Sequence, residues 1–311
     1  MNVLVTGGAG FIGSVLVPTL LIRKFTVTVL DNFLFKQKSI QNVHQNKNLK
    51  IINGDVRDKK LIKKLLAKAD LIIPLAALVG APLCEKYPKD AKEVNLESIK
   101  FLNSQLSKDQ KVILPVSNSG YGIGKPGEFC TEDSPLNPIS LYGITKVKSE
   151  SIIMERENSV SFRLATVFGM SPRMRIDLLV NYFVNKALTE KKIEIFEGHF
   201  KRNYVHIQDV AKVFNFTIDN FNKMKGNTYN FGLEDANFSK IELAQKIKFY
   251  IKNFKIIISE NGSDPDKRDY IVSNKKILKT GYKFDHDLDS GIKELIIEIP
   301  KLAKGINYGN I

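Results

Sequence analysis

Tyr142 and Lys146 stand four residues apart in the stretch Ser140-Leu-Tyr-Gly-Ile-Thr-Lys146. On a helix that spacing puts a phenol and an ammonium on one face, one turn apart. The ammonium favours the phenolate, so a tyrosine that is ordinarily neutral can become a base. Alone, the spacing is equally that of an exposed helix whose lysine covers an aromatic ring. It gains meaning from Thr6-Gly-Gly-Ala-Gly-Phe-Ile-Gly13 at the other end of the same half-chain. A base held beside a bound redox dinucleotide is equipped for hydride chemistry on an alcohol.

The glycine-rich run follows an apolar stretch that reads as a strand and opens a stretch that reads as a helix. One glycine permits the tight turn, one lets the backbone approach a pyrophosphate, and one lets helix and strand pack closely. The helix N-terminus adds free N–H groups and a positive dipole end. Gly7, Gly10, Phe11, Ile12 and Gly13 are therefore candidate cofactor contacts. Asp31 ends the second expected strand, 18 residues after Gly13. A carboxylate there accepts hydrogen bonds from an adenosine ribose and repels a 2′-phosphate, which favours NAD over NADP. The plain alternative is a turn residue ahead of Asn32.

These groups need a scaffold, and the first half of the chain spells one. Strands are expected at 2–6, 26–30, 50–52, 70–73, 111–117 and 160–164. Helices are expected at 11–23, with Pro18 inside, at 58–68 and at 89–106, and a further one carries Tyr142. Strand and helix in alternation imply a doubly wound parallel sheet. After Gly169 the pattern loosens. Pro172, Gly198, Gly232 and Asn261-Gly262 interrupt it, and helices are expected near 177–190, 208–221, 239–251 and 288–303. The expected organisation is a nucleotide-binding domain over 1–168 and a smaller mixed α/β substrate lobe over 169–311, with some segments returning to the main sheet.

Composition narrows the function. The chain has 311 residues, 43% hydrophobic, with a formal charge of +14. No apolar run is long enough to span a membrane, and no basic region precedes the first strand, so a cytosolic location is expected. Cys84 and Cys130 fit that compartment and cannot make a metal site by themselves. The positive charge is mostly Lys scattered along helices, as in Asp58-Lys-Lys-Leu-Ile-Lys-Lys64, without an arginine cluster interleaved with aromatics. That is a solvated face, so nucleic-acid binding is not expected. A basic surface would attract a small anionic substrate such as a nucleotide diphosphate.

With several spaced motifs in order, the chain resembles an extended short-chain dehydrogenase/reductase of the nucleotide-sugar epimerase/dehydratase branch. The resemblance rests on residues 6–13, Gly54-Asp-Val-Arg-Asp58, Leu75-Ala-Ala77, Asn95, residues 117–122, Tyr142 with Lys146, Arg163, Arg202-Asn-Tyr-Val-His206, Asp209 and Gly281-Tyr-Lys-Phe284. It implies a Rossmann sheet, NAD, a nucleotide-diphosphate sugar as substrate, and a homodimer through a four-helix bundle built from the helices around 95–102 and 147–154. It implies that Asp55 and Val56 touch the adenine end. Leu75, Ala76 and Ala77 would underlie the cofactor, with Asn32 and Asn95 near it. Ser117, 25 residues before Tyr142, holds the place of the family's catalytic Ser or Thr. Arg202 and Arg268 resemble arginines that bind a diphosphate through their planar donor fork. Val79, Asn118, Ser119, Thr166 and Arg175 fall at sugar-nucleotide positions. His206 and Asp209 are expected to be structural, with Asp209 capping the helix from Val210 onward. His44, His199 and His286 are expected at the surface. No metal constellation is expected.

The resemblance also carries departures. Pro74 stands where relatives often have His, and Thr166 where they often have Asn. Relatives that remove water across C5 and C6 place an Asp and a Glu right after the Ser or Thr, and this chain has Asn118 and Ser119. Neither is a carboxyl acid or base, which argues against 4,6-dehydration. Oxidation at C4 remains, ending in a 4-epimer or in a released 4-ketone, and the motifs leave both open. A 4,6-dehydratase or a 4-keto reductase is the alternative enzyme reading, and a non-catalytic NAD sensor the non-enzyme one. Residues 78–84, 118–124 and 163–175 look most like GDP-heptose C4-dehydrogenases.

Overall fold

The structure is a computed structural model that describes residues 1–259 and 267–310. The expected break at Asn261-Gly262 lies outside the described residues. In chain order, β1 (Asn2–Thr6), α1 (Gly13–Ile22), β2 (Thr26–Asp31), β3 (Leu49–Asn53), α2 (Lys59–Leu66) and β4 (Leu71–Pro74) come first. Then follow α3 (Ala81–Lys86), α4 (Pro88–Lys92), α5 (Ser98–Gln105), β5 (Lys111–Ser117), β6 (Phe129–Cys130), α6 (Leu141–Met154), β7 (Ser159–Leu164) and β8 (Thr166–Phe168). The rest comprises α7 (Leu179–Thr189), β9 (Lys192–Phe196), β10 (Lys201–His206), α8 (Ile207–Asp219), α9 (Phe221–Met224), β11 (Asn227–Phe231) and β12 (Asn237–Ser239). It closes with α10 (Lys240–Tyr250), β13 (Lys255–Ser259), β14 (Ile271–Val272), α11 (Lys275–Leu278) and α12 (Leu288–Glu298).

Seven strands form one parallel sheet in the order β11-β7-β5-β4-β1-β2-β3. Its strands are apolar almost throughout because both faces are covered. Side chains alternate across a strand. Val3 and Val5 therefore enter the core on one face, while Leu4 enters the core on the other. The same split separates Leu71 and Ile73 from Ile72. A third core, built around Phe168, Phe183, Leu243 and Leu295, organises α7, α10 and α12. β11 comes late in the sequence but pairs with β7 at the sheet edge. Strands β1, β2, β4 and β5 end at Thr6, Asp31, Pro74 and Ser117. In a doubly wound sheet the ligand crevice opens outside the strand ends.

One expected element is broken. The helix expected at 89–106 is two helices joined by a π-helical turn at Glu93–Glu97, with Asn95 at its middle. Such turns mark places where a side chain competes for the helix geometry. Here the Asn95 amide takes the Leu78 backbone on both sides, accepting from its N–H at 2.8 Å and donating to its carbonyl at 2.9 Å. Pro18, by contrast, sits inside α1 without ending it.

Candidate active site

A cavity of about 720 Å³ opens at the strand ends. Its wall includes Gly7, Gly10, Phe11, Ile12, Gly13, Asp31, Asn32, Asp55, Val56, Leu75, Ala76, Ala77 and Val79. Ser117, Tyr142, Lys146, Thr166, Arg175 and Arg268 line the same cavity. Groups from distant stretches of chain thus share one cavity.

The glycine loop is shaped by close approach. Gly7 has φ +69°, and a Cβ there would lie 2.6 Å from the Ala76 nitrogen. At Gly13 a Cβ would lie 2.5 Å from the Gly8 Cα. Only glycine fits either place. The Asp31 carboxylate accepts the Ala9 and Phe33 N–H groups at 2.9 and 2.8 Å, which fixes it at the end of β2. Burial nonetheless raises its pKa above the usual value. Asp55 is held by Arg57 at 2.8 Å, and Arg57 in turn reaches Asp90 at 2.6 Å.

Ser140 caps α6 by accepting the Gly143 N–H, which sets the helix phase and aims Tyr142 and Lys146 at the cavity. Burial pushes the Tyr142 phenol up to about 12, and the neighbouring Cys84 adds to that. Arg268, Arg175 and the Ser117 hydroxyl act in the opposite direction, favouring the phenolate. Burial lowers Lys146 itself to about 8, while Glu150 supports its charge.

Four expected site residues stand off the cavity wall. Asn95 is a brace, holding Leu78 and lying 3.4 Å from the Thr145 hydroxyl, one residue before Lys146. Asn118 and Ser119 directly follow Ser117 and are buried, and among the described residues neither side chain has a hydrogen-bond partner. Arg202 is buried, with its guanidinium 5.8 Å from the Tyr270 ring, and Tyr270 is on the wall. Sequence reasoning missed Tyr270 and Arg173, which both line the cavity. Arg173 was within reach of sequence reading, two residues before Arg175 in a loop already singled out.

Two expectations about the histidine region are corrected. Asp209 does not cap a helix: His206 caps α8, accepting the Gln208 N–H. The Asp209 carboxylate is buried and accepts the Asp285 and His286 N–H groups at 2.8 and 3.0 Å. His286 is only half exposed, stacked on His206 at 4.2 Å and 3.0 Å from Asp209. His206, Asp209 and His286 bring three ligand-type atoms within 4.8 Å of one another, a grouping the sequence did not reveal. Their polar atoms are engaged with protein, including His206 with Glu294 at 2.8 Å.

The pattern of the NAD dependent epimerase/dehydratase family runs through residues 3–232. The chain belongs to that family. It is 30% identical over 305 residues to the putative UDP-glucose 4-epimerase of Methanocaldococcus jannaschii, covering 94% of this chain and 97% of that protein. Its fold matches the UDP-glucuronic acid 4-epimerase of Bacillus cereus solved with UDP-glucuronic acid and NAD, with TM-score 0.86, 24% identity, and coverage of 97% and 100%. It also matches the dTDP-glucose 4,6-dehydratase of Bacillus anthracis solved with NAD, with TM-score 0.82, 20% identity and 97% of each chain covered. The family resemblance read from the motifs is thereby confirmed. This epimerase/dehydratase is an NAD-dependent enzyme of the extended short-chain dehydrogenase/reductase class. Its glycine cradle and Asp31 suit the dinucleotide, and the Asp31 carboxylate would oppose a 2′-phosphate.

Proposed function

We propose that this enzyme oxidises C4 of a nucleotide-diphosphate sugar and, in its complete cycle, inverts that carbon. The supporting observation is that Ser117, Tyr142 and Lys146 line one cavity with the glycine loop, while Asn118 and Ser119 follow Ser117. Bound NAD supplies the hydride acceptor and, in the return step, the donor. Tyr142 takes the proton of the C4 hydroxyl as the hydride leaves the same carbon. Ser117 orients that hydroxyl and can relay its proton. Lys146 holds the cofactor ribose and adds positive charge near the phenol. Arg175 and Arg268 bind the sugar nucleotide's diphosphate, and their charge draws Tyr142 toward the phenolate. Thr166 and Val79 line the sugar subsite.

Loss of water from C5 and C6 needs an acid and a base at those carbons. Asn118 and Ser119 offer neither, so the cycle stops at the ketone or its reduction. The 30% identical relative, named a putative UDP-glucose 4-epimerase, supports net epimerisation. Release of the ketone is the second outcome, favoured by the likeness of residues 78–84, 118–124 and 163–175 to GDP-heptose C4-dehydrogenases. Dimerisation through the helices near 95–102 and 147–154 belongs to the same reading. The experiment is incubation with UDP-glucose, UDP-glucuronate and GDP-heptose, with products identified by NMR. A C4 epimer or a 4-keto sugar supports the proposal. A 4-keto-6-deoxy sugar overturns it.

A further inference from the structure

Arg173 has no task in the reaction above, yet its surroundings ask for one. It lies in the loop between β8 and α7, lines the cavity and is 2% exposed. A buried guanidinium is costly without a counter-charge. Among the described residues no carboxylate lies within ion-pair distance of Arg173. Its donors reach neutral oxygens: the Met174 carbonyl at 3.2 Å, the Gly309 carbonyl at 3.3 Å and Asn310 Oδ1 at 2.7 Å. Its flat face covers the Phe35 ring at 4.2 Å.

The two acids that act on it from further off are already engaged. Asp31 accepts two backbone N–H groups, and Asp177 is paired with Arg175 at 2.6 Å. Burial and the like charge of Arg175 pull Arg173 down to about 10. A cation is thus held in place under-compensated, on the wall of a cavity that takes an anionic dinucleotide.

Its position selects which part of that dinucleotide. The loop is fastened to the start of α1: the Ser171 hydroxyl donates to the Phe11 carbonyl at 2.8 Å, and the Arg173 N–H to the Ser14 hydroxyl at 3.2 Å. That is where a helix N-terminus receives phosphate. Residues 307–310 then strap the loop from outside. The Ile176 N–H donates to the Tyr308 carbonyl at 2.8 Å, and Gln37, from the loop after β2, donates to the Asn307 carbonyl at 3.0 Å.

We infer that Arg173 is a cofactor-binding residue, placing its guanidinium against the adenosine-diphosphate half of NAD and held there by Phe35 and Asn310. Arg175, two residues on, serves the Tyr142 end, so one loop attends to both ligands. The inference rests on the NAD reading of the cavity and is independent of which sugar is bound.

The test is calorimetric binding of NAD and of ADP-ribose to protein freed of co-purifying nucleotide, with UDP and GDP as controls. Losing a charge-assisted contact should weaken NAD and ADP-ribose binding to Arg173→Gln roughly tenfold or more, leaving UDP and GDP unchanged. Asn310→Ala, which only loosens the guanidinium, should show a loss of roughly threefold. Unchanged ADP-ribose affinity in Arg173→Gln overturns the inference. So does a loss confined to UDP or GDP, which would assign Arg173 to the sugar nucleotide. Should Arg173→Gln not fold, Asn310→Ala decides: unchanged ADP-ribose affinity overturns the inference. If the unaltered protein binds no ADP-ribose, it is the NAD reading that fails.

Discussion

Glu150 lies one helical turn beyond Lys146 on α6, and its buried carboxylate is gripped by Arg163 at 2.9 Å and by the Ser161 hydroxyl at 2.7 Å. Tyr142, Lys146 and Glu150 therefore occupy one face of a single helix. Arg163 continues the chain of contacts to the Tyr121 hydroxyl at 3.0 Å. Glu150 supports the charge on Lys146 against the burial that lowers it to about 8.

Glu150→Gln should therefore move the alkaline limb of the kcat/KM profile to lower pH. A protonated Lys146 is needed for turnover, and that requirement is lost as pH rises through its pKa. Removing the carboxylate brings that loss closer to neutrality. A uniform drop at all pH values would reduce Glu150 to a strut for Arg163.

Lys146→Met should abolish turnover and alter stability in a defined way. Lysine titrates at 10.5 unfolded and at about 8 folded. Between those values the unfolded chain holds more protons, so this group makes stability rise with pH across that window and contributes no slope well below it. Urea unfolding at several alkaline pH values should show that slope in the natural protein and a smaller one in the variant. Removing a buried charge should also raise the melting temperature at neutral pH by a few degrees.

Tyr142→Phe should retain NAD and lose turnover by a factor on the order of 10² to 10⁴, the usual worth of a positioned acid–base group. Bound cofactor can be counted after gentle denaturation, separately from activity. Near-natural activity would remove Tyr142 from its assigned role.

Gly7→Ala should destabilise the fold by about 2 kcal/mol or more. Its Cβ would meet the Ala76 backbone at 2.6 Å in a conformation with φ +69°, so strain and overpacking act together. Chemical denaturation measures it; an unchanged midpoint would mean the loop relaxes freely.

The β1–loop–α1 unit was legible because its information is local: an apolar strand, glycines at fixed offsets, then a helix. The Tyr142 helix was legible for the same reason, through the four-residue spacing of Tyr142 and Lys146. What escaped depends on partners far along the chain. The π-helical turn at Glu93–Glu97 follows from Asn95 reaching Leu78, and helix periodicity alone reads through it. Asp209 carries a capping residue's identity, but its carboxylate is claimed by the backbone of Asp285 and His286. Arg173 is held by Gly309 and Asn310, which no local pattern connects to it.

Most direct of all is the fate of a deuterium placed at C4 of the accepted nucleotide sugar. The isotope should appear transiently in the reduced cofactor and return to the inverted C4 carbon, or stay in reduced cofactor where the ketone is released, with no solvent hydrogen entering at C5. Deuterium arriving at C6 with solvent exchange at C5 would contradict the proposed cycle.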